Sequence, residues 1–273
     1  MRNQLEDASR IAAKQCCDHE CPDVMGWMGF LLNHIIRPYL PLLYPEVELR
    51  GLGIDPDTFM YLKGVDRYFN AAGDAYPGTL AKLAIDVVKA SGMRPIKRLE
   101  LIYDAVYIDE AQDLRGNDLE IVRALFKSNI DVTIVCDPRQ SVLSTSKHDQ
   151  KHKQYKGVGV VSFYRDMEQK KLCSISDMNE THRFTPEIAN FSDLIILKEL
   201  GFSKTLSKVC SNEAHQGIFV IDMSEIQTYS SLYGATILRN DVRAGEFSGF
   251  DVANFGECKG MQRDHVVIVA TQA

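Results

Sequence analysis

Two short runs, Ala105-Val106-Tyr107-Ile108 and Val132-Thr133-Ile134-Val135, constrain this chain most. Both are rich in β-branched and aromatic residues, and Leu119–Phe126 between them carries apolar residues at helical spacing. Strand, helix, strand at this length predicts a βαβ unit and a parallel sheet buried on both faces. Each run leads into acid: Asp109-Glu110 after the first, and Asp137 one position beyond Cys136 after the second. Parallel strands deliver the residues at their ends to one carboxyl edge, where open α/β sheets bind ligands. There, one carboxylate can hold Mg²⁺ while the next orients or deprotonates an attacking water. A solvated, acidic helix start is the plainer alternative for an isolated Asp-Glu pair.

The rest of the chain reads as α/β in both halves. Met28, Leu31, Leu32, Ile35 and Ile36 form a helical face within Val24–Ile36, stopped by Arg37-Pro38. Residues 46–78 are rich in Gly and Pro and read as loop, and Leu80, Leu83, Ala84, Val87 and Val88 give a helix ending near Ser91-Gly92. Residues 147–157 are a polar, lysine- and histidine-rich connector and the expected domain boundary. Beyond it the pattern predicts a helix over Pro186–Leu197 and strands at Gly217–Ile221, Ala235–Leu238 and His265–Ala270.

Composition narrows the class. With 273 residues, 45% hydrophobic and 25% charged, the chain suits a globular protein rather than a disordered or disulfide-built one. Seven cysteines without framework spacing fit a reduced, cytoplasmic setting, and the opening residues carry no apolar signal region. The longest apolar stretches are too short or too interrupted for a membrane span. A net charge of −6 requires any nucleic-acid contact to use a local basic groove.

Further polar strings stand after the acidic pair, in order. Val135-Cys136-Asp137-Pro138-Arg139-Gln140-Ser141 closes the second strand, where a Gln can sense a γ-phosphate and an Arg adds charge. Asn179-Glu180-Thr181-His182-Arg183-Phe184 precedes a helix, and Asn254–Asp264 opens into Val266-Val267-Ile268-Val269. Taken together these strings resemble the superfamily 1 helicases of the UvrD/Rep/PcrA type. Asp109-Glu110-Ala111-Gln112-Asp113 resembles their Walker B box, and Asp137–Ser141 their motif III. His182-Arg183 with Ile188-Ala189-Asn190 resembles motif IV, and Phe255–Ile268 resembles motif V. Ile237-Leu238-Arg239-Asn240 is similar to a strand of the second RecA-like domain, and Met25–Tyr39 to the segment after motif Ia.

The resemblance implies an α/β fold of two RecA-like parallel-sheet lobes of the P-loop NTPase type, both incomplete. Residues 1–150 would be a partial first lobe with a helical insertion at about 35–100, and residues 151–273 a partial second lobe. It implies ATP and Mg²⁺ as cofactors and single-stranded or tailed DNA as partner. Asp109 would bind Mg²⁺ with Glu110 beside it, and Glu110 would be the general base. Gln112, Asp113 and Gln140 would couple the γ-phosphate to the DNA groove, with Arg139 adding charge. Arg183 would be an arginine finger and His182 would stack near the base, while Gly260 and Gln262 would touch the nucleotide or the cleft. The family has Glu where Gln262 stands, and aromatics where Val142–Ser146 extends motif III.

No Gly-x-x-x-x-Gly-Lys-Thr/Ser string, the loop that cradles phosphates, stands in these 273 residues. Compared with the family, the chain is expected to lack the Walker A segment and motif VI, and so not to turn over ATP alone at a helicase rate. A protein partner supplying the Walker A segment is one resolution. A catalytically inactive, helicase-like DNA- or partner-binding protein is the alternative reading; an unrelated α/β hydrolase using Asp109 and Glu110 leaves the other boxes unexplained. Cys16, Cys17, His19 and Cys21 cluster, but no second pair completes a zinc site, and free thiols are expected. Lys147, His148, Lys151, His152, Lys153 and Lys156 form a basic stretch, expected to be a solvated linker rather than a DNA contact. Met25, Trp27, Met28 and Phe30 are expected in the core.

Overall fold

The computed structural model describes residues 22–57, 61–141, 151–210, 215–258 and 261–270. The Cys16–Cys21 cluster, Val142–Ser146, Lys147, His148 and Gly260 lie outside the described residues. The chain divides into two compact units, Met1–Ile175 and Ser176–Ala273.

In the first unit, helix α1 (Trp27–Phe30) runs on as a π-helix over Leu31–Ile36. Leu31, Leu32, Ile35 and Ile36 are buried at the spacing the sequence predicts, whereas Met25, Trp27, Met28 and Phe30 are not fully buried. Trp27 instead anchors the helix, its indole N–H donating to Asp118 Oδ1 at 2.6 Å. The π-helix packs on α2 (Leu80–Ala90), which buries Leu80, Leu83, Ala84, Val87 and Val88 and ends at Ser91-Gly92. Each such large side chain contributes about 1.5–3 kcal/mol by leaving water. A second helix, α3 (Arg94–Glu100), comes at once, where the sequence pattern predicts none. Pro95 falls in its first turn, where the missing N–H costs nothing, so it starts a helix rather than breaking one. The 46–78 loop is held by bridges from Ala75 to Leu52 and Phe69. Gly73 sits there at φ +87, and a Cβ would lie 2.3 Å from the Glu48 carbonyl oxygen.

The βαβ unit forms as expected. Strands β1 (Ala105–Ile108) and β2 (Asp131–Ile134) pair in parallel, with Ala105 opposite Asp131 and Ile108 opposite Ile134. Helix α4 (Asn117–Phe126) connects them, burying Leu119, Ile121, Val122 and Leu125. The expected burial on both faces is not found. Ile108 is buried, but Tyr107 is 77% exposed and Val135 beyond β2 is exposed too. Side chains alternate across a strand, and among the described residues only the face that carries Ile108 is covered.

Residues 151–175 belong to this unit, so the expected boundary after residue 150 falls inside it. Helix α5 (Val160–Gln169) buries Val160, Phe163 and Met167. The Arg123 guanidinium of α4 lies over the Phe163 ring, 5.5 Å from its centre. In the stretch expected to be a solvated linker Lys153 and Lys156 are exposed, but Lys151 and His152 are engaged. Glu120 of α4 takes the Lys151 ammonium at 3.3 Å and His152 Nε2 at 2.5 Å, with Arg123 at 2.9 Å. A half-buried carboxylate ringed by three basic groups holds this stretch against α4.

The second unit is also α/β. Short strands β3 (Glu180–Thr181) and β4 (Leu206–Ser207) pair in parallel around α6 (Pro186–Leu200). Helix α7 (Ile226–Tyr233) is preceded by a capping box, Asp222 with Glu225, and ends on Gly234 in the left-handed conformation. The remaining strands form a parallel sheet in the order β6 (Val252–Asn254), β5 (Thr236–Arg239), β7 (Val266–Ile268). Ile226, Ala235, Ile237, Phe247, Val267 and Val269 form its core. The strand expected at Gly217–Ile221 is not in any sheet. Ile218, Phe219 and Val220 are exposed, and the backbone of 218–221 makes no hydrogen bond among the described residues. High β-propensity does not make a strand without a ladder partner.

Candidate nucleotide-binding edge

Because β1 and β2 are parallel and in register, the chain leaves both at the same edge. Asp109-Glu110 emerges from β1, and Cys136-Asp137 from the end of β2. Val135 N–H donates to the Ile108 carbonyl at 2.8 Å, and Ala111 N–H to the Val135 carbonyl at 3.1 Å, so the two exits are laced together.

Glu110 has φ +53, a left-handed conformation unusual for a side chain of this size. Its N–H donates to Asp109 Oδ1 at 2.8 Å, and it leads into a single 3-10 turn, Ala111–Asp113. The turn drops Gln112 inward until it is 1% exposed. A buried amide must find partners for both its ends. Gln112 Nε2 donates to Glu110 Oε2, and Gln112 Oε1 accepts the Asp137 N–H at 3.0 Å. Ser141 Oγ donates to the Gln112 carbonyl at 3.1 Å.

Asp137 gathers the other polar groups. It caps the turn Pro138–Gln140, accepting the Arg139 N–H at 3.1 Å. Arg139 forks its carboxylate through Nε at 2.9 Å and a terminal nitrogen at 3.3 Å, and Gln140 Nε2 donates to it at 3.0 Å. Burial pushes this carboxyl upward, but the bonds from Arg139 and Gln140 outweigh it and hold Asp137 below the usual aspartate range. Burial, with the nearby Asp137, Glu110 and Asp113 carboxylates, drives the Cys136 thiol up to about 12, so it stays protonated and unreactive. The turn Gly157–Gly159 packs against both the Gln112 turn and the Arg139 turn.

Six of the residues singled out in the sequence, Asp109, Glu110, Gln112, Asp113, Arg139 and Gln140, are therefore brought to one edge. Asp137, the hub between them, has no role assigned by the sequence; its signal is its place at a strand end ahead of Pro138. His182, Arg183 and Gln262 are exposed and belong to the second unit. The Arg183 N–H donates to Thr181 Oγ1 at 3.3 Å, just beyond β3. Arg239 stands at the carboxyl end of the central strand β5 and donates to the Gly245 carbonyl. A shallow, open recess lined by Glu46, Glu48, Arg50, Asp66 and Asn70 contains none of these residues.

Among the described residues no three His, Cys, Asp or Glu side chains converge as a complete protein cage would. Mg²⁺ does not require one: it is commonly held by one or two carboxylates, with water and phosphate oxygens completing the octahedron. Exposed Asp109 and Glu110 carboxylates at a sheet's carboxyl edge fit that mode.

Residues 79–145 match the UvrD/REP helicase N-terminal domain. That segment runs from α2 through β1, α4 and β2 to the Arg139 turn, so it contains every residue of the laced edge. The match supports a UvrD-like helicase family for this part of the chain, about a quarter of its length. No curated protein matches the chain. No helix among the described residues is long and apolar enough to cross a membrane.

Proposed function

We propose that the chain is the core of a UvrD-like, ATP-dependent DNA helicase or translocase, with ATP and Mg²⁺ bound at the β1–β2 edge. Its two units are read as RecA-like lobes acting on single-stranded or tailed DNA in repair, replication or phage defence. The observation that carries this reading is the bridge from Glu110 through buried Gln112 to Asp137, inside the segment that matches the helicase domain. Phosphoryl transfer is catalysed mainly by positioning and charge, and those are what this edge supplies. Bound Mg²⁺ would neutralise charge on the phosphates. Asp109 would hold it, Glu110 would take a proton from the attacking water, and Gln112 would fix the Glu110 carboxylate relative to both strand ends. Arg139 and Gln140 would meet phosphate oxygens, and Arg183 in the second unit would act as the arginine finger, with His182 near the base. Gly260 and Gln262 would contact the nucleotide or the cleft beside it.

A phosphate-cradling Gly-Lys loop is not among the 273 residues, which favours one second reading: a helicase-like module that binds DNA or a partner without hydrolysis. A partner chain bringing that loop would restore the first. Fluorescence anisotropy of a labelled single-stranded oligonucleotide, with and without Mg²⁺ and a non-hydrolysable ATP analogue, separates these. In a translocase the two affinities are linked, typically by about 5–150-fold. A nucleotide-dependent change in DNA affinity of that order supports the translocase core. DNA binding indifferent to nucleotide supports the inactive module, and no DNA binding overturns the translocase core and leaves only a partner-binding module.

A further inference from the structure

Asp137 has no part in the nucleotide chemistry proposed above. It stands just beyond β2, and a carboxylate that shares this strand edge with Asp109 and Glu110 opposes any polyphosphate that approaches. Yet it is among the best-bonded polar side chains there. Its two oxygens accept the Arg139 N–H at 3.1 Å, Arg139 Nε at 2.9 Å, a terminal Arg139 nitrogen at 3.3 Å and Gln140 Nε2 at 3.0 Å. Those donors come from the two side chains of this strand end best suited to a phosphate. A guanidinium forks carboxylates and phosphates with the same geometry, so the two kinds of anion compete for it.

We infer that Asp137 is an internal stand-in for a nucleotide phosphate: it holds Arg139 and Gln140 in store until the phosphates of ATP take them over. This rests on the reading of the edge as a nucleotide site and adds a regulatory contact to it. The handover also reaches Glu110. The Asp137 N–H is bonded to Gln112 Oε1 at 3.0 Å, and the other end of that amide donates to Glu110 Oε2. When the Arg139 and Gln140 side chains leave Asp137, its carboxylate keeps only the capping Arg139 N–H, and the turn is held less firmly at the residue whose own N–H anchors Gln112. The general-base carboxylate is then re-aimed only with phosphate present. Asp137 is a positioning residue, not a catalytic one, and no covalent bond is made or broken in the exchange.

The test is calorimetric titration of ATP with Mg²⁺ into the full chain and four variants: Asp137→Asn, Asp137→Ser, Arg139→Gln and the double variant Asp137→Asn with Arg139→Gln. Asn and Ser keep an oxygen that can cap the turn but remove the charge, so loss of fold in one leaves the other informative. The latch predicts that both bind ATP about tenfold tighter than the natural chain, the equivalent of one charge-assisted hydrogen bond released. It also predicts that Asp137→Asn brings a smaller gain in the Arg139→Gln background, where only Gln140 is left to release. Equal gains with and without the Arg139→Gln substitution would mean that Asp137 acts only as a general negative charge, and would overturn the latch while leaving the nucleotide site standing. Unchanged or weaker binding in both Asp137 variants overturns it in the same way. No ATP binding by any of the five proteins removes the nucleotide reading, and the latch with it.

Discussion

Gln112 ties Glu110 to Asp137: one end of its amide donates to the Glu110 carboxylate and the other accepts the Asp137 backbone N–H at 3.0 Å. The two carboxylates stand at the ends of neighbouring parallel strands, 27 positions apart in sequence. A single buried amide therefore decides how one strand end is set relative to the other. Gln112→Leu keeps the volume and removes both bonds. The substitution is expected to destabilise the first unit by about 1–3 kcal/mol, because the Asp137 N–H is left without its acceptor. Urea denaturation of the two proteins measures it; a loss below about 0.5 kcal/mol would show that the bridge is dispensable to the fold.

Glu110 holds a left-handed backbone at φ +53, which costs a non-glycine residue about 1–2 kcal/mol. Glycine adopts this conformation freely but loses more entropy on folding. Glu110→Gly is thus expected to leave stability unchanged or raise it by up to about 1 kcal/mol, while removing the carboxylate proposed as general base. A midpoint in urea well below that of the natural chain would mean that the Gln112 bond, not the backbone, dominates at this position.

Glu120 gives a pH dependence with a definite sign. Burial raises its pKa, but the bond to His152 and the charges of Arg123 and Lys151 outweigh burial and hold it below the usual glutamate range. A depressed carboxylate stabilises the fold above its unfolded value, about 4.3, and loses that contribution as pH falls through the folded value. The stability difference between the natural chain and Glu120→Gln is expected to be full at about pH 6 and to shrink as the pH is taken from about 5 to 3. A difference constant over that range would show that the basic groups around Glu120 act through packing alone.

Phe163 tests whether residues 151–175 belong to the first unit. It is fully buried, with the Arg123 guanidinium over its ring and the Tyr155 ring edge-on at 5.5 Å. Phe163→Ala is expected to cost about 3–5 kcal/mol, the range for a large core side chain, and to loosen the Lys151–His152 contact with Glu120. Hydrogen exchange across α4 and α5 reads both effects, and unchanged protection in α4 would place α5 outside that core.

What could be read from the residues alone divides along physical lines. The βαβ unit is legible because β-branched runs and a helical period are local signals, and its parallel register then fixes where Asp109, Glu110 and Asp137 emerge. The burial of Gln112 is not legible. A polar residue in an acidic string reads as exposed, and its second partner, the Asp137 N–H, stands 25 positions away. Pro95 misleads because the same residue type ends one helix and opens another. Gly217–Ile221 has the composition of a strand, but pairing depends on an edge that composition does not reveal. Lys151 and His152 look solvated until Glu120, on a different element, is found facing them. The match over residues 79–145 covers the stretch where local signals are strongest.

The most direct test of the nucleotide edge is the affinity of the purified chain for ATP, measured by calorimetry with Mg²⁺ and with Mg²⁺ removed, beside Asp109→Ala. Saturable binding is expected that requires Mg²⁺ and weakens at least about tenfold in Asp109→Ala, as loss of one charge-assisted contact would give. Binding of equal strength with and without Mg²⁺ or Asp109, or no binding by the natural chain, would contradict a nucleotide site at this edge.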